Sequence, residues 1–271
     1  METADFAPTA ESLLKILERL RAPGGCPWDR EQTRLTLSRS LAEECAEFLD
    51  AVDRDDPADL CDELGDLFMN VVFQAVIAAE KGEFTYEDMV RGIVNKMVRR
   101  HAHIFGNAHA ENAEEVRILW EKIKAEERGA KKAPASVLDG VGHYLTALNR
   151  AEKLQKRAAK IGFDWKTQEG ILDKIQEELD ELRAAVASGD EAAVDAEFGD
   201  LLFAASNFAR FRGGRTSEEL LRQACRKFES RFRSMEQLMA AEGIAPAEAG
   251  IDRLEEFWRK VKRSESDRSD I

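Results

Sequence analysis

One set of acidic residues recurs in this chain at a fixed offset. Glu43-Glu44-x-x-Glu47 is followed by Glu63-x-x-Asp66, and Glu177-Glu178-x-x-Glu181 by Glu197-x-x-Asp200, each member of the second set lying 134 residues after its counterpart. The pattern around them is helical. Leu60, Leu64, Leu67, Phe68, Val71, Val72, Ala75 and Val76 trace an amphipathic stripe, and Leu41, Cys45, Phe48, Leu49 and Val52 trace a matching one on the segment before. Arg54-Asp55-Asp56-Pro57 reads as the turn between them, with Pro57 suited to the first turn of the second helix. No strand-like alternation stands out. The expected fold is all-α, with two related, four-helix-bundle-like domains in tandem at residues 1–128 and 137–264. A small-residue linker containing Pro134 is expected at 129–136, and a polar, fraying tail at 265–271.

The spacing folds each acidic set back on itself. Residues 44 and 66 share the midpoint 55 with residues 47 and 63; residues 178 and 200 share the midpoint 189 with residues 181 and 197. An antiparallel hairpin turning at those points sets Glu44 beside Asp66 and Glu47 beside Glu63, roughly 12 Å or more from the turn at about 1.5 Å rise per residue. Residues three apart are neighbours on a helix surface, so four carboxylates meet at one place in each half. Unpaired, they would raise one another's pKa values, which makes a cation the natural partner. Oxygen-only ligands favour Mg²⁺, Mn²⁺ or Ca²⁺ over Zn²⁺ or copper. The ordinary explanation, glutamates on solvated helix faces, accounts for one set but not for two sets with a common symmetry. A di-iron carboxylate bundle needs Glu-x-x-His pairs, and His101, His103, His109 and His143 have no Glu three residues upstream.

Other elements repeat in the same order. Lys96-x-x-x-Arg100 answers Lys227-x-x-x-Arg231, and Trp120-x-x-x-Lys124 answers Trp258-x-x-x-Lys262. Each pair shares one helix face, so the ring can stack on a flat group while the ammonium reaches an anion; plain core packing explains the tryptophans equally well. His101 and His103, beside Arg100, are further candidates for touching a substrate. Lys153, Lys156, Arg157 and Lys160 form a basic helix that ends in the aromatic turn Gly162-Phe-Asp-Trp165. With no GxxxxGK[ST] or GxGxxG present, phosphate recognition must come from a metal and side chains. Lys plus Arg total 40 against 53 Asp plus Glu, a formal charge of −13, which argues against a nucleic-acid partner. The N-terminus lacks the pattern of a signal peptide and no 18-residue apolar run occurs, so neither membrane nor export is expected. Cys26, Cys45, Cys61 and Cys225 show no CxxC pairing and read as reduced core residues of a cytoplasmic protein.

Taken together, Gly25-Cys-Pro-Trp-Asp29 with Glu31-Gln-Thr33, the two acidic sets, Arg99-Arg-His101, Trp120-Glu-Lys-Ile-Lys-x-Glu-Glu127 and Gly162-Phe-Asp-Trp165 resemble the MazG-type nucleoside triphosphate pyrophosphohydrolases of the all-α pyrophosphatase superfamily. The resemblance covers nearly the whole chain. It implies cleavage of NTPs or dNTPs between the α- and β-phosphates, dependent on Mg²⁺ with Mn²⁺ as a substitute, by a homodimer whose bundles take helices from both subunits. It further implies that Glu178, Glu181, Glu197 and Asp200 hold the metal, as Glu44, Glu47, Glu63 and Asp66 would in the first copy. Glu177, Glu178 and Glu181 form the implied catalytic set, Glu177 positioning the attacking water or a second ion. Lys174, Lys227, Arg231, Trp258, Lys262 and Lys124 are the implied nucleotide contacts. Ser230 stands where Arg99 stands in the first half, which leaves Arg231 without a doubled partner. The second copy is the favoured catalytic one. A nucleotide-binding regulator without turnover and a helical interaction scaffold are the alternative classes.

Overall fold

The structure is a computed structural model that describes residues 6–129 and 136–269. Among these there are twelve α-helices and no strand. The chain divides into two compact units, Met1–Lys132 and Ala133–Ile271. In the first, α1 (Ala10–Arg21) and the short α2 (Pro27–Glu31) precede a long hairpin of α3 (Arg34–Arg54) and α4 (Pro57–Glu80); α5 (Tyr86–Arg100), α6 (Ala102–Phe105) and α7 (Ala113–Gly129) follow. In the second, α8 (Ala147–Ala159) precedes the hairpin of α9 (Gln168–Ser188) and α10 (Glu191–Arg212), followed by α11 (Ser217–Ala241) and α12 (Ile251–Ser269).

Both hairpins turn by the same local chemistry. Helix α3 ends at Asp55 and α9 at Gly189, both in the left-handed region with φ of 54° and 74°. Asp55 is the one non-glycine residue with positive φ among those described, a conformation a short polar side chain tolerates. The next residue in each case is an aspartate, Asp56 or Asp190, whose carboxylate accepts from the backbone N–H groups two and three positions on and so caps the second helix. Pro57 occupies the first position of α4, as its fixed φ favours. The entries match as well: Thr33 and Thr167 cap α3 and α9, and Thr85 and Thr216 open α5 and α11 with reciprocal capping boxes.

The packing departs from the stripe reading in an informative way. Val72, Phe73, Val76 and Ile77 of α4 are buried with Leu17 of α1 and Leu37 of α3 in the first unit's core. Leu64, Phe68 and Val71, on the same stripe, remain exposed, whereas Val72 and Val76 of that stripe cluster with Leu17 of α1 and Leu37 of α3. Three of the four cysteines, Cys45, Cys61 and Cys225, are exposed rather than core residues, and all four are free thiols. Helix α12 runs to Ser269, and the Glu265 carboxylate accepts from Arg231 Nε at 2.8 Å, while the last two residues of the expected polar tail lie outside the described residues. The expected linker lies almost wholly outside the described residues.

Candidate metal and nucleotide site

The left-handed turns bring the acidic sets into register. In the first unit Glu44, Glu63 and Asp66 each offer a carboxylate oxygen, all within 4.8 Å of one another; in the second, Glu178, Glu197 and Asp200 do the same. Glu47 and Glu181, the fourth members of the expected quartets, lie outside these groups but close enough to feel them. Burial, then the charges of Asp66, Glu47 and Glu63, pushes the Glu44 carboxyl above its ordinary value. Burial, then Glu47, Asp66 and other nearby acids, does the same to Glu63. Glu181 is raised by desolvation and by Glu197 and Glu178. Glu63 Oε2 is buried and has no hydrogen-bond partner. Mutually raised carboxylates with an orphaned oxygen form a hard, oxygen-only donor set that fits a divalent cation such as Mg²⁺ or Mn²⁺.

The two triads differ in what surrounds them. In the second unit Lys174 Nζ reaches Glu177 Oε1 and Glu178 Oε1, both at 2.8 Å. Those contacts raise its pKa, leaving a fixed positive charge beside Glu178, which is only 6% exposed. The residue 134 positions earlier is Ser40, whose hydroxyl donates to Glu44 at 3.4 Å and accepts from the buried Asn70 Nδ2 at 3.5 Å. The first triad therefore has a hydroxyl where the second has an ammonium.

A cleft of about 610 Å³ adjoins the second triad, large enough for a small-molecule ligand. Glu178, Asp200 and Lys174 form part of its wall, and Phe163 and Trp165 of the aromatic turn, with Gln155 of α8, form another. Asp200, Phe203, Ala204, Asn207 and Arg210 lie along one face of α10 at helical spacing, so the cleft follows that helix for roughly 15 Å. Gly170 lets α9 approach the Trp165 indole: a Cβ there would stand 2.9 Å from the ring. In the first unit the positions equivalent to Asn207 and Arg210 are Phe73 and Val76, 3% and 4% exposed in the core. Arg21 lies over the Phe73 ring at 5.5 Å, tied to Glu80 at 2.6 Å and to the carbonyl oxygens of Asp29 and Gln32. The first hairpin is packed where the second is open.

A family model of the MazG nucleotide pyrophosphohydrolase domain matches residues 32–105 and again residues 166–235, one match on each hairpin. The chain belongs to the MazG nucleotide pyrophosphohydrolase family. It is 47% identical over 260 residues to the nucleoside triphosphate pyrophosphohydrolase of Escherichia coli K12, a match covering 95% of this chain and 98% of that one. Identity to the Thermotoga maritima nucleoside triphosphate pyrophosphohydrolase/pyrophosphatase MazG is 42% over 252 residues, covering 93% and 95%. The uncharacterized protein YabN of Bacillus subtilis is 39% identical over 251 residues, which are 92% of this chain and 51% of that protein.

The remaining MazG-type residues expected at the site are dispersed in the single chain. Lys227, Arg231, Trp258 and Lys262 sit on α11 and α12, and none of them lines the cleft. Trp258 packs on the Met235, Met239, Phe257 and Val261 cluster and meets Phe228 at 5.4 Å. Lys227 lines a separate shallow depression on α11. In the first unit Lys124 is paired with Glu121 at 3.1 Å, and Trp120 is flanked by Arg100 and His101. His101 Nδ1 lies 2.7 Å from the Met97 carbonyl oxygen. In the basic segment, Lys153, Lys156 and Lys160 are exposed, and Arg157 bonds the carbonyl oxygens of Val137 and Asp139. Gln155, Asn207 and Arg210 were not singled out by spacing. Comparing each residue with the one 134 positions earlier would have found the last two, since polar groups there replace Phe73 and Val76.

Proposed function

We propose that this MazG-family chain hydrolyses nucleoside triphosphates between the α- and β-phosphates, giving a nucleoside monophosphate and pyrophosphate, and that the second unit is the hydrolytic one. One observation carries the assignment: the triad Glu178, Glu197 and Asp200 opens onto a nucleotide-sized, aromatic-walled cleft, with the Lys174 ammonium at their junction. The names of the Escherichia coli and Thermotoga maritima relatives support it. Mg²⁺ held by the triad, with Mn²⁺ as a substitute, would supply charge neutralisation for the triphosphate oxygens and polarise the phosphorus under attack. Lys174 provides a fixed cation for a phosphate oxygen while holding Glu177 and Glu178 in place. Glu181, its pKa raised at the triad's edge, is suited to take the proton of the attacking water, with Glu177 orienting that water. The first triad, beside a packed core, is suited to hold a cation without turning over a nucleotide.

A homodimer fits the exposed faces. Val52, Leu64 and Phe68 on the first hairpin correspond to Val186, Phe198 and Leu202 on the second, and all six are 41% to 61% exposed. Equivalent apolar residues uncovered on both hairpins suit completion of each bundle by a second copy, and that copy could bring Lys227, Arg231, Trp258 and Lys262 to the cleft. Free thiols and a nucleotide substrate suit the cytoplasm; among the described residues no helix is long and apolar enough to cross a membrane. The test is product identification. Incubation with an NTP and Mg²⁺ is expected to give monophosphate and pyrophosphate in equal amounts, whereas a diphosphate with orthophosphate would contradict the reading. Tight binding without turnover would make the chain a nucleotide-binding regulator.

A further inference from the structure

The cleft contains two amides whose orientation is fixed, and neither is used by the triphosphate chemistry. Gln155 on α8 is 8% exposed, and its Nε2 donates to the Phe203 carbonyl oxygen at 2.8 Å and to Ser206 Oγ at 3.4 Å. A backbone carbonyl only accepts, so the amide nitrogen must face it. The other end, Oε1, is buried and has no partner. Asn207 on α10 is fixed in the opposite sense. Its Oδ1 accepts from Arg210 Nε at 2.6 Å, and a guanidinium only donates, so Nδ2 is the end left for a ligand. Arg210 is itself clamped by the Asp164 carboxylate of the aromatic turn, with Nη1 to Oδ2 at 3.1 Å. One acceptor and one donor are thus held in the cleft that Phe163 and Trp165 wall.

The sister hairpin shows that the fold does not need Asn207 and Arg210, while the position of Gln155 is taken there by Arg21, which bonds Glu80 and the carbonyl oxygens of Asp29 and Gln32. Phe73 and Val76 occupy the positions of Asn207 and Arg210 and pack into an ordinary core. A buried acceptor without a partner is uncommon and costly unless a ligand answers it. A flat heterocycle with donor and acceptor side by side, stacked against aromatic rings, is the ligand such a cleft fits, and a nucleobase edge has that character. Asn207 lies seven residues beyond Asp200 on the same face of α10, roughly 10 Å from the metal carboxylates, which leaves room for the sugar and phosphates.

Resting on the reading of this cleft as the nucleotide site, we propose that Gln155 and Asn207 read the hydrogen-bonding edge of the substrate's base. The Arg210–Asp164 pair is the positioning device that keeps the Asn207 amide turned to donate. Base preference is then set by the second unit's α8 and α10 rather than by the carboxylates.

The test uses the full chain with two variants, Asn207→Asp, which turns the donor into an acceptor at constant shape, and Gln155→Met. Pyrophosphate release is measured from the four common NTPs, and binding of the four monophosphates by calorimetry. The expected result is a change of about tenfold to 100-fold in the ratio of kcat/KM between bases, matched by a shift in monophosphate affinity. Wild-type turnover with both variants keeping its base ranking within about threefold would overturn this inference and leave the proposed function standing. Monophosphate binding that the variants re-rank, without any wild-type turnover, would support the inference and overturn the function; neither binding nor turnover would overturn both. If Asn207→Asp does not fold, as judged by helical circular dichroism, Asn207→Phe replaces it, since the sister hairpin carries that residue. It is expected to lower monophosphate affinity for all bases by at least tenfold, and undiminished binding would overturn the inference.

Discussion

Single carboxylates behave in opposite ways in this chain according to what faces them. Glu127 receives hydrogen bonds from Arg100 and Arg99, which hold its pKa down to about 2. A carboxylate whose folded pKa lies below its unfolded value near 4.5 stabilises the fold fully above that pH, and the contribution fades as pH falls towards about 2. Glu127→Gln is therefore expected to be less stable than the parent in urea at pH 7, with the gap closing between about pH 4.5 and pH 2; a constant gap would rule out the ion pairs as its cause. Glu44, Glu63 and Glu181 face other acids and are raised. They favour the metal-free fold only at acid pH and oppose it as pH rises through their folded pKa values. This part of the site was legible in the sequence, because the chemistry of a carboxylate cluster follows from spacing and helical phase alone. The amides were not: a Gln or Asn on a helix carries no spacing signature, and the meaning of Gln155 and Asn207 emerges only when the neighbours that fix each amide are known.

Among the elements, the hairpin decides the site, and the hairpin is decided by its turn. The shared midpoints 55 and 189 coincide with the left-handed residues Asp55 and Gly189, and the aspartates after them cap α4 and α10. Gly189→Ala, forced to keep positive φ, is expected to cost about 1 kcal/mol, and Asp190→Ala about 1 kcal/mol through the lost cap. Both are read as a lower urea midpoint with an unchanged slope; unchanged midpoints would mean that the turn does not govern the hairpin. Less legible was which side of each hairpin is covered. Leu64 and Phe68 continue the stripe that buries Val72 and Val76, yet only the latter two cluster with Leu17 of α1 and Leu37 of α3. Periodicity shows that a face is apolar, not what covers it. The same limit applies to Lys227, Arg231, Trp258 and Lys262, whose repeated order was clear from the sequence while the single chain leaves them away from the cleft.

At the scale of the molecule, duplication has produced two hairpins of one design with different surroundings. Both keep a carboxylate triad, but further along the same helix the first carries the core residues Phe73 and Val76 and the second the cleft residues Asn207 and Arg210. Cation binding should therefore stabilise the whole chain. Mg²⁺ at about 100 times its Kd is expected to add about 2.7 kcal/mol per site at pH 7.5. It should add less near pH 4.5, because the raised pKa values of Glu44, Glu63 and Glu181 make protons compete with the cation there; a pH-independent rise in Tm would argue against the triads as the sites. The division of labour between the units is the central claim, and a matched pair of substitutions tests it most directly: Asp200→Asn and Asp66→Asn, assayed side by side for Mg²⁺-dependent pyrophosphate release from NTPs. Asp200→Asn is expected to lose at least about 1,000-fold in kcat, as removal of a metal ligand from the reacting centre should, while Asp66→Asn keeps activity within about tenfold of the parent. Parental turnover by Asp200→Asn, or an equal loss in both, would contradict the account.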